Sequence, residues 1–285
     1  MHPVISTADL AALLDAGPAA RPTVLDVRWR LAGPPGVDSY HAGHLPGAAY
    51  LDLDTELAGS PGAGGRHPLP EPGALQRSLR AAGVRAGHPV VAYDDGDSSV
   101  AARAWWLLRW AGHREVAVLD GGFAAWQAEG RPVTTESDEA TAPREGDITV
   151  RPGGMPVLDA EGAVRYARSG VLLDARAPQR YTGETEPVDP RPGHIPGARN
   201  APFSAHSGPD GRWRAPEELA GHFAALGVEP GVPVGAYCGS GVTASSVVLA
   251  LELAGHPEPA ALYPGSWSEW SADPERPAAT GPTPG

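Results

Sequence analysis

Lysine is absent from this 285-residue chain, so all 22 basic residues are arginine. That excludes Schiff-base chemistry, a pyridoxal-phosphate anchor and a Walker-type phosphate-binding lysine. Cysteine occurs once, as Cys238, which excludes an internal disulfide and makes a cytoplasmic setting the simplest expectation. No run of about 18 apolar residues occurs, so no membrane-spanning helix is expected. Residues 1–6 lack the basic stretch and apolar core of a secretory leader. Positive charge is scarce as well: the net charge of -12 argues against nucleic acid or an anionic membrane as partner. No Cys/His cluster has metal-ligand spacing, and neither a metal nor another cofactor is expected.

Glycine (37) and proline (32) are abundant instead, and they recur between apolar runs, as turns do in a folded protein. Hydrophobic residues at 41% suffice for sizeable cores. The chain also repeats itself once. Val24-Leu25-Asp26-Val27-Arg28 is echoed by Leu172-Leu173-Asp174-Ala175-Arg176, and Gly43-His44-Leu45-Pro46-Gly47-Ala48 by Gly193-His194-Ile195-Pro196-Gly197-Ala198. Val90-Val91-Ala92-Tyr93 is echoed by Val234-Gly235-Ala236-Tyr237, and Gly121-Gly122-Phe123-Ala124-Ala125-Trp126 by Gly265-Ser266-Trp267-Ser268-Glu269-Trp270. Four matches in one order, offset by 144 to 150 residues, mark a duplicated unit.

Each half carries the same coarse pattern. A helix is expected at 7–16, capped by Thr7 and striped by Leu10, Leu13 and Leu14, with a counterpart at 159–168 capped by Asp159. Strands are expected at 23–27 and 171–175, 89–93 and 233–237, and 116–119 and 260–263, with helices at 99–111 and 243–254. This alternation predicts an α/β fold of two similar domains, each a parallel sheet covered by helices on both faces. The domains are expected at 1–130 and 156–285, joined by a linker at 131–155 whose charged run 134–139 reads as a solvated stretch. The Pro, Gly and Ala-rich segment from Ala272 reads as a loose tail.

Cys238-Gly239-Ser240-Gly241-Val242-Thr243 joins a strand to a helix. Its glycines permit a tight turn that aims amide N–H groups at one point, where the helix N-terminus adds positive potential. Such a cradle favours a thiolate and stabilises an anionic persulfide. A phosphatase-like loop would need an arginine soon after the cysteine to grip phosphate, and positions 239–246 hold none. The first half has Asp94 in place of Cys238, within Asp94-Asp95-Gly96-Asp97. With no thiol and three carboxylates there, the first domain is expected to be catalytically silent. His44, His194, Trp126, Trp270, Asp26 and Asp174 recur in both halves and are read as structural.

These motifs, over nearly the whole chain, resemble the rhodanese and 3-mercaptopyruvate sulfurtransferase family. The resemblance implies two tandem rhodanese-like domains, only the second active, and ping-pong transfer of sulfur through a persulfide on Cys238. Thiosulfate-preferring members have a loop like Cys-Arg-Lys-Gly-Val-Thr; this loop lacks both cations and is similar to that of members using 3-mercaptopyruvate. Arg180 matches a substrate-binding arginine of the family, and Gly239, Ser240, Gly241, Val242 and Thr243 complete the expected substrate-binding loop. A second family arginine is missing from its usual spacing in the stretch 186–190, with Arg191 close by. Asp54 and His67 resemble first-domain residues placed near the active site in relatives that use 3-mercaptopyruvate, and assistance to proton movement is the role expected of them here. Thiosulfate as donor, or delivery of sulfur to a protein partner, remain alternatives. The expected partners are a small-molecule sulfur donor and a thiophilic acceptor such as a thiol, cyanide or a thioredoxin-like reductant; a monomer is compatible with the sequence.

Overall fold

Branched and small apolar residues tolerate burial on both faces of a parallel sheet, and runs of them supply the central strands of both halves. In the computed structural model, which describes residues 1–17, 20–135 and 145–285, the chain divides into two units. The first comprises Met1–Ala58, Pro70–Gly154 and Gly208–Trp213; the second comprises Gly59–Leu69, Met155–Ser207 and Arg214–Gly285.

The first unit runs β1 (Val4–Ile5), α1 (Thr7–Asp15), β2 (Thr23–Asp26), α2 (Gly36–Ala42), β3 (Ala48–Tyr50), α3 (Pro72–Ala81), β4 (Val90–Tyr93), α4 (Ala101–Trp110), β5 (Val116–Leu119) and α5 (Gly122–Ala128). Its strands form one parallel sheet in the order β1-β5-β4-β2-β3. Successive strand residues point to opposite faces. Val24, Val91, Tyr93 and Leu119 therefore pack with Leu10 of α1 and Trp126 of α5, while α4, buried along nearly its whole length, packs on β4 and β5. Its alanines, leucines and tryptophans suit such a covered position, and Arg103 is buried with them.

The second unit runs α6 (Ala160–Ser169), β6 (Val171–Asp174), α7 (Pro178–Thr182), β7 (Arg199–Asn200), α8 (Pro216–Ala225), β8 (Val234–Tyr237), α9 (Ala244–Leu253), β9 (Ala261–Leu262) and α10 (Ser266–Ala272). Its parallel sheet has the order β7-β6-β8-β9. Leu172, Tyr237 and Ala261 pack with Ala163 of α6 and with Trp267 and Trp270 of α10. Buried α9 lies on β8 and β9. Each half is thus a parallel α/β sheet flanked by helices, as the alternating pattern predicts.

The residues shared by the two halves hold the folds together. Arg28 grips Asp26 (2.6 Å) and the Gly43 carbonyl (2.7 Å); Arg176 repeats this with Asp174 (2.6 Å) and Gly193 (2.7 Å). His44 Nδ1 meets the Tyr40 carbonyl at 2.9 Å and His194 Nδ1 the Tyr181 carbonyl at 2.8 Å, each ring stacked on that tyrosine. Trp126 and Trp270 are buried and donate to the carbonyls of Pro132 and Pro277.

Two expectations need correction. Ser6, not Thr7, caps α1: its extended backbone lets its hydroxyl accept from the Asp9 amide, while Thr7 bonds Glu129. The segment after Ala272 is not loose. Ala279 pairs with His194 in both directions (2.8 and 2.9 Å), the Gly281 amide donates to Thr182, and the Pro284 carbonyl accepts from Gly197. Prolines cannot donate, yet they and their neighbours can still dock through carbonyls. Residues 132–134 do the same work in the first unit, where Thr134 pairs with His44. Further on, Gly146, Ile148, Arg151 and Gly154 donate to carbonyls of that unit. Of the charged run, residues 136–139 lie outside the described residues.

Candidate active site around Cys238

β8 delivers the chain to Cys238, and α9 takes it up again at Ala244. The intervening loop is held from outside by the start of α10. The Cys238 amide donates to Ser266 Oγ (3.1 Å), Trp267 donates to the Cys238 carbonyl (2.9 Å), and Ser268 donates to the Gly239 carbonyl (2.9 Å). Ser266 adopts a left-handed φ of 53°, a rare conformation for a residue with a Cβ. Its hydroxyl donates on to Tyr263 (2.8 Å).

Inside the loop, Gly241 has φ 79° and a Cβ there would lie 2.5 Å from the Pro264 carbonyl oxygen, so only glycine fits. This conformation turns the Gly241 amide back onto Cys238, and it donates to Sγ at 3.1 Å. Cys238 is 2% exposed. The thiol is therefore buried, with a backbone amide directed at its sulfur. Val242 is buried, and Val242 and Thr243 offer their carbonyls to Ser245 and Ser246 in the first turn of α9.

Ser240 is buried, with its Oγ 2.7 Å from Nδ1 of His67, also buried. His67 lies in Gly59–Leu69, the stretch that belongs to the second unit although it comes early in the sequence. Asp54 belongs to the first unit, where its carboxylate accepts from the Trp29 indole at 2.9 Å.

Arg180 projects from α7. Its Nη2 contacts Glu186 (2.6 Å) and Asp189 (2.9 Å), and both carboxylates are buried. Its Nη1 lies 3.4 Å from the point that a Cβ on Gly239 would occupy. Sequence reasoning missed Arg66, whose Nη1 meets the other Asp189 oxygen at 2.9 Å and whose Nη2 lies 3.3 Å from the same point beside Gly239. Only its place next to His67 hinted at it. Arg191, considered as a second anion-binding arginine, is spent on structure: it donates to the carbonyls of Trp270, Ser271, Asp273 and Arg276, satisfying the end of α10.

The first unit shows how the equivalent loop treats an anion. Asp94 Oδ1 accepts from the amides of Gly96 (3.0 Å) and Ser98 (3.1 Å), and Oδ2 from Val100 and Ala101 (3.0 Å each). Complete burial, reinforced by the charge of Asp97, pushes this carboxyl up to about 7, against the opposing pull of the amides.

Comparison with known proteins follows the same lines. The family model described as "Rhodanese-like domain" matches twice, over residues 6–129 and 159–273. A Mycobacterium tuberculosis protein named "Putative thiosulfate sulfurtransferase SseB" is 44% identical over 98% of this chain and 97% of its own length. A Pseudomonas aeruginosa protein named "Probable 3-mercaptopyruvate sulfurtransferase" is 48% identical over 90% of this chain and 92% of its own. The crystal structure of SseA from Escherichia coli, described under 3-mercaptopyruvate sulfotransferases, superposes with a TM-score of 0.80 at 29% identity, covering 94% of this chain and all of that one.

Proposed function

Because the chain belongs to the rhodanese family, we propose that it is a sulfurtransferase in which 3-mercaptopyruvate loads sulfur onto Cys238 and a thiol or cyanide removes it. The observation that carries this reading is the Gly241 amide donating to Cys238 Sγ at 3.1 Å in a loop of small residues ahead of α9. An amide so placed can donate to the sulfur as negative charge develops on it during transfer.

In the first half-reaction the Cys238 thiolate attacks the donor sulfur. The sulfur–carbon bond breaks, its electron pair leaves as the enolate of pyruvate, and Cys238 holds the persulfide. The enolate must take up a proton. Ser240, 2.7 Å from His67, is the group we assign to deliver it, with His67 resupplying the hydroxyl. In the second half-reaction the acceptor attacks the outer sulfur, the sulfur–sulfur bond breaks, and the Cys238 thiolate returns.

Charge favours a monoanionic donor. The loop itself carries no cation, and the two arginines beside it, Arg66 and Arg180, have their charges already offset by Glu186 and Asp189. A dianion such as thiosulfate would enter with less compensation. The name of the M. tuberculosis relative supports thiosulfate as the second reading. Arg180, Gly239, Ser240, Gly241, Val242 and Thr243 are assigned to donor binding. The first unit is assigned no turnover, since Asp94 offers no thiol and spends its carboxylate on its own loop. A thioredoxin-like dithiol in the cytoplasm is the protein acceptor proposed, acting on a monomer.

Mass spectrometry after treatment with 3-mercaptopyruvate is expected to show one added sulfur atom on Cys238, and Cys238→Ser is expected to abolish both this adduct and turnover. Retained turnover in that variant, or a higher kcat/KM for thiosulfate in the wild type, would overturn the mechanism or the donor assignment respectively.

A further inference from the structure

The family's second substrate-binding arginine has no counterpart at its usual place in this chain, and Arg191 is engaged by α10. We infer that Arg66 replaces it: Arg66 and Arg180, held side by side by Asp189, form a two-guanidinium clamp for the carboxylate of the sulfur donor. This deepens the proposed function and rests on it.

Three observations carry the assignment. Asp189 splits its two oxygens between the arginines, Oδ1 to Arg66 Nη1 and Oδ2 to Arg180 Nη2, each at 2.9 Å. A buried carboxylate used in this way holds two like charges together that would otherwise repel. Second, the nitrogens pointing away from Asp189, Nη2 of Arg66 and Nη1 of Arg180, reach the same small volume beside Gly239, 3.3 and 3.4 Å from its absent Cβ. Gly239 follows Cys238 directly, so both guanidinia lie against the loop that carries the reacting sulfur. Third, Nε of Arg66 is buried and has no hydrogen-bond partner among the described residues. A buried donor left unpaired is costly, and a donor carboxylate is of the right chemistry to satisfy it.

The local fold aims Arg66 with care. Gly62 and Gly65 close a turn through mutual hydrogen bonds of 3.0 and 2.9 Å. A Cβ on Gly65 would lie 2.6 Å from the Gly265 carbonyl oxygen, so the turn packs tightly against the start of α10. The Arg66 amide donates to Ser268 Oγ at 3.0 Å. The same turn of α10 that holds the Cys238 loop therefore also holds the arginine.

The clamp also explains why the residue after the cysteine is glycine. An arginine at 239, as in Cys-Arg-Lys-Gly-Val-Thr loops, would enter space that the two guanidinia already occupy. In this chain the anion-binding charge comes from outside the loop.

The test compares wild type with Arg66→Gln, Arg66→Lys and Arg180→Gln. With 3-mercaptopyruvate, Arg66→Gln is expected to raise KM about tenfold or more while kcat stays within about threefold, and Arg66→Lys is expected to recover part of the loss. Independently of any donor, the rates of Cys238 alkylation by iodoacetate and by iodoacetamide are measured. Their ratio cancels changes in thiol reactivity and reports attraction of a carboxylate. The ratio is expected to fall about tenfold in both Gln variants. An unchanged ratio in Arg66→Gln alongside a fall in Arg180→Gln would overturn the role of Arg66. If 3-mercaptopyruvate proves a poor donor for the wild type, the donor assignment fails, while the alkylation ratio still decides for or against the clamp. Should Arg66→Gln not fold, a KM for Arg66→Lys equal to wild type, with an unchanged ratio, would likewise count against it.

Discussion

Gly241→Ala tests the amide that meets Cys238. The substitution has two costs that can be separated. A Cβ at φ 79° forces a left-handed conformation on an L-residue, about 1–2 kcal/mol of stability. The same Cβ would lie 2.5 Å from the Pro264 carbonyl oxygen and 2.9 Å from its Cα. These are backbone atoms, so the loop itself must move. Movement withdraws the Gly241 amide from Cys238 Sγ, where it donates at 3.1 Å. A hydrogen bond to a charged group contributes about 1.5–3 kcal/mol, so kcat/KM is expected to fall by about 10- to 150-fold, at roughly tenfold per 1.4 kcal/mol. Gly231→Ala is the control. Gly231 has φ 81° with nothing within 4 Å of its absent Cβ, so it suffers the conformational cost alone. Steady-state rates with 3-mercaptopyruvate and thermal melting of both variants complete the assay. Both should lose similar stability from the backbone, with Gly241→Ala losing more, but only Gly241→Ala should lose activity. A Gly241→Ala enzyme within twofold of wild type, or a Gly231→Ala enzyme equally impaired, would refute the reasoning.

Two other predictions follow from the same unit. Ser240→Ala removes the hydroxyl 2.7 Å from His67 and is expected to lower kcat for pyruvate formation about 100-fold, with little change in the alkylation rate of Cys238 by iodoacetamide; a kcat unchanged from wild type would remove Ser240 from proton delivery. His206 is buried beside His222 and Phe223, and neither of its ring nitrogens has a partner among the described residues. Burial first, then the charges of His222 and Arg214, push it down to about 3. The folded state therefore resists a proton that the unfolded chain accepts below about pH 6.5. The stability this leaves at neutral pH should be lost as pH falls from about 6.5 towards 3, by about 1.4 kcal/mol per pH unit. Denaturant melts of the second unit between pH 7 and 4.5 check this, and His206→Phe should flatten the slope; an unchanged slope would absolve His206.

Much of the fold was legible because it is written twice. Asp26 and Arg28 look unremarkable alone, but their return as Asp174 and Arg176 marks them as structural, and both pairs form. Asp159 was recognised as a cap, and it accepts from the Gly162 amide at 2.6 Å. Ser6 and Thr7 are adjacent and equally suited to capping by type; only the extended backbone of Ser6, with ψ 157°, decides between them. Helices α3 and α8 are not among the elements expected from the sequence, and each opens on a proline, Pro72 and Pro216. Proline at the first helical position loses no hydrogen bond, and Leu75 with Leu79, and Leu219 with Phe223, then bury one face. In the site, Cys238 was legible from its small-residue loop. Arg66 was not, because no local pattern announces that Gly59–Leu69 belongs to the second unit.

The two loops differ in the side chain that each receives at the strand end. Both join a strand to a buried helix, and both turn backbone amides towards the side chain at the strand end. In the first unit that side chain is a carboxylate whose oxygens already take four amides, so the loop is filled by its own residue. In the second, Sγ is one atom beyond Cβ, and among the described residues the Gly241 amide alone donates to it. A persulfide adds one more atom and brings the side chain to the reach of an aspartate. The outer sulfur that the proposed reaction adds would take the position along the side chain that Asp94 fills permanently with its own oxygens. On the proposed reading, Asp94 disables the first loop by occupancy as well as repulsion. Restoring a thiol at position 94 would vacate that space but would not recreate the cation pair that Arg66 and Arg180 hold beside Gly239.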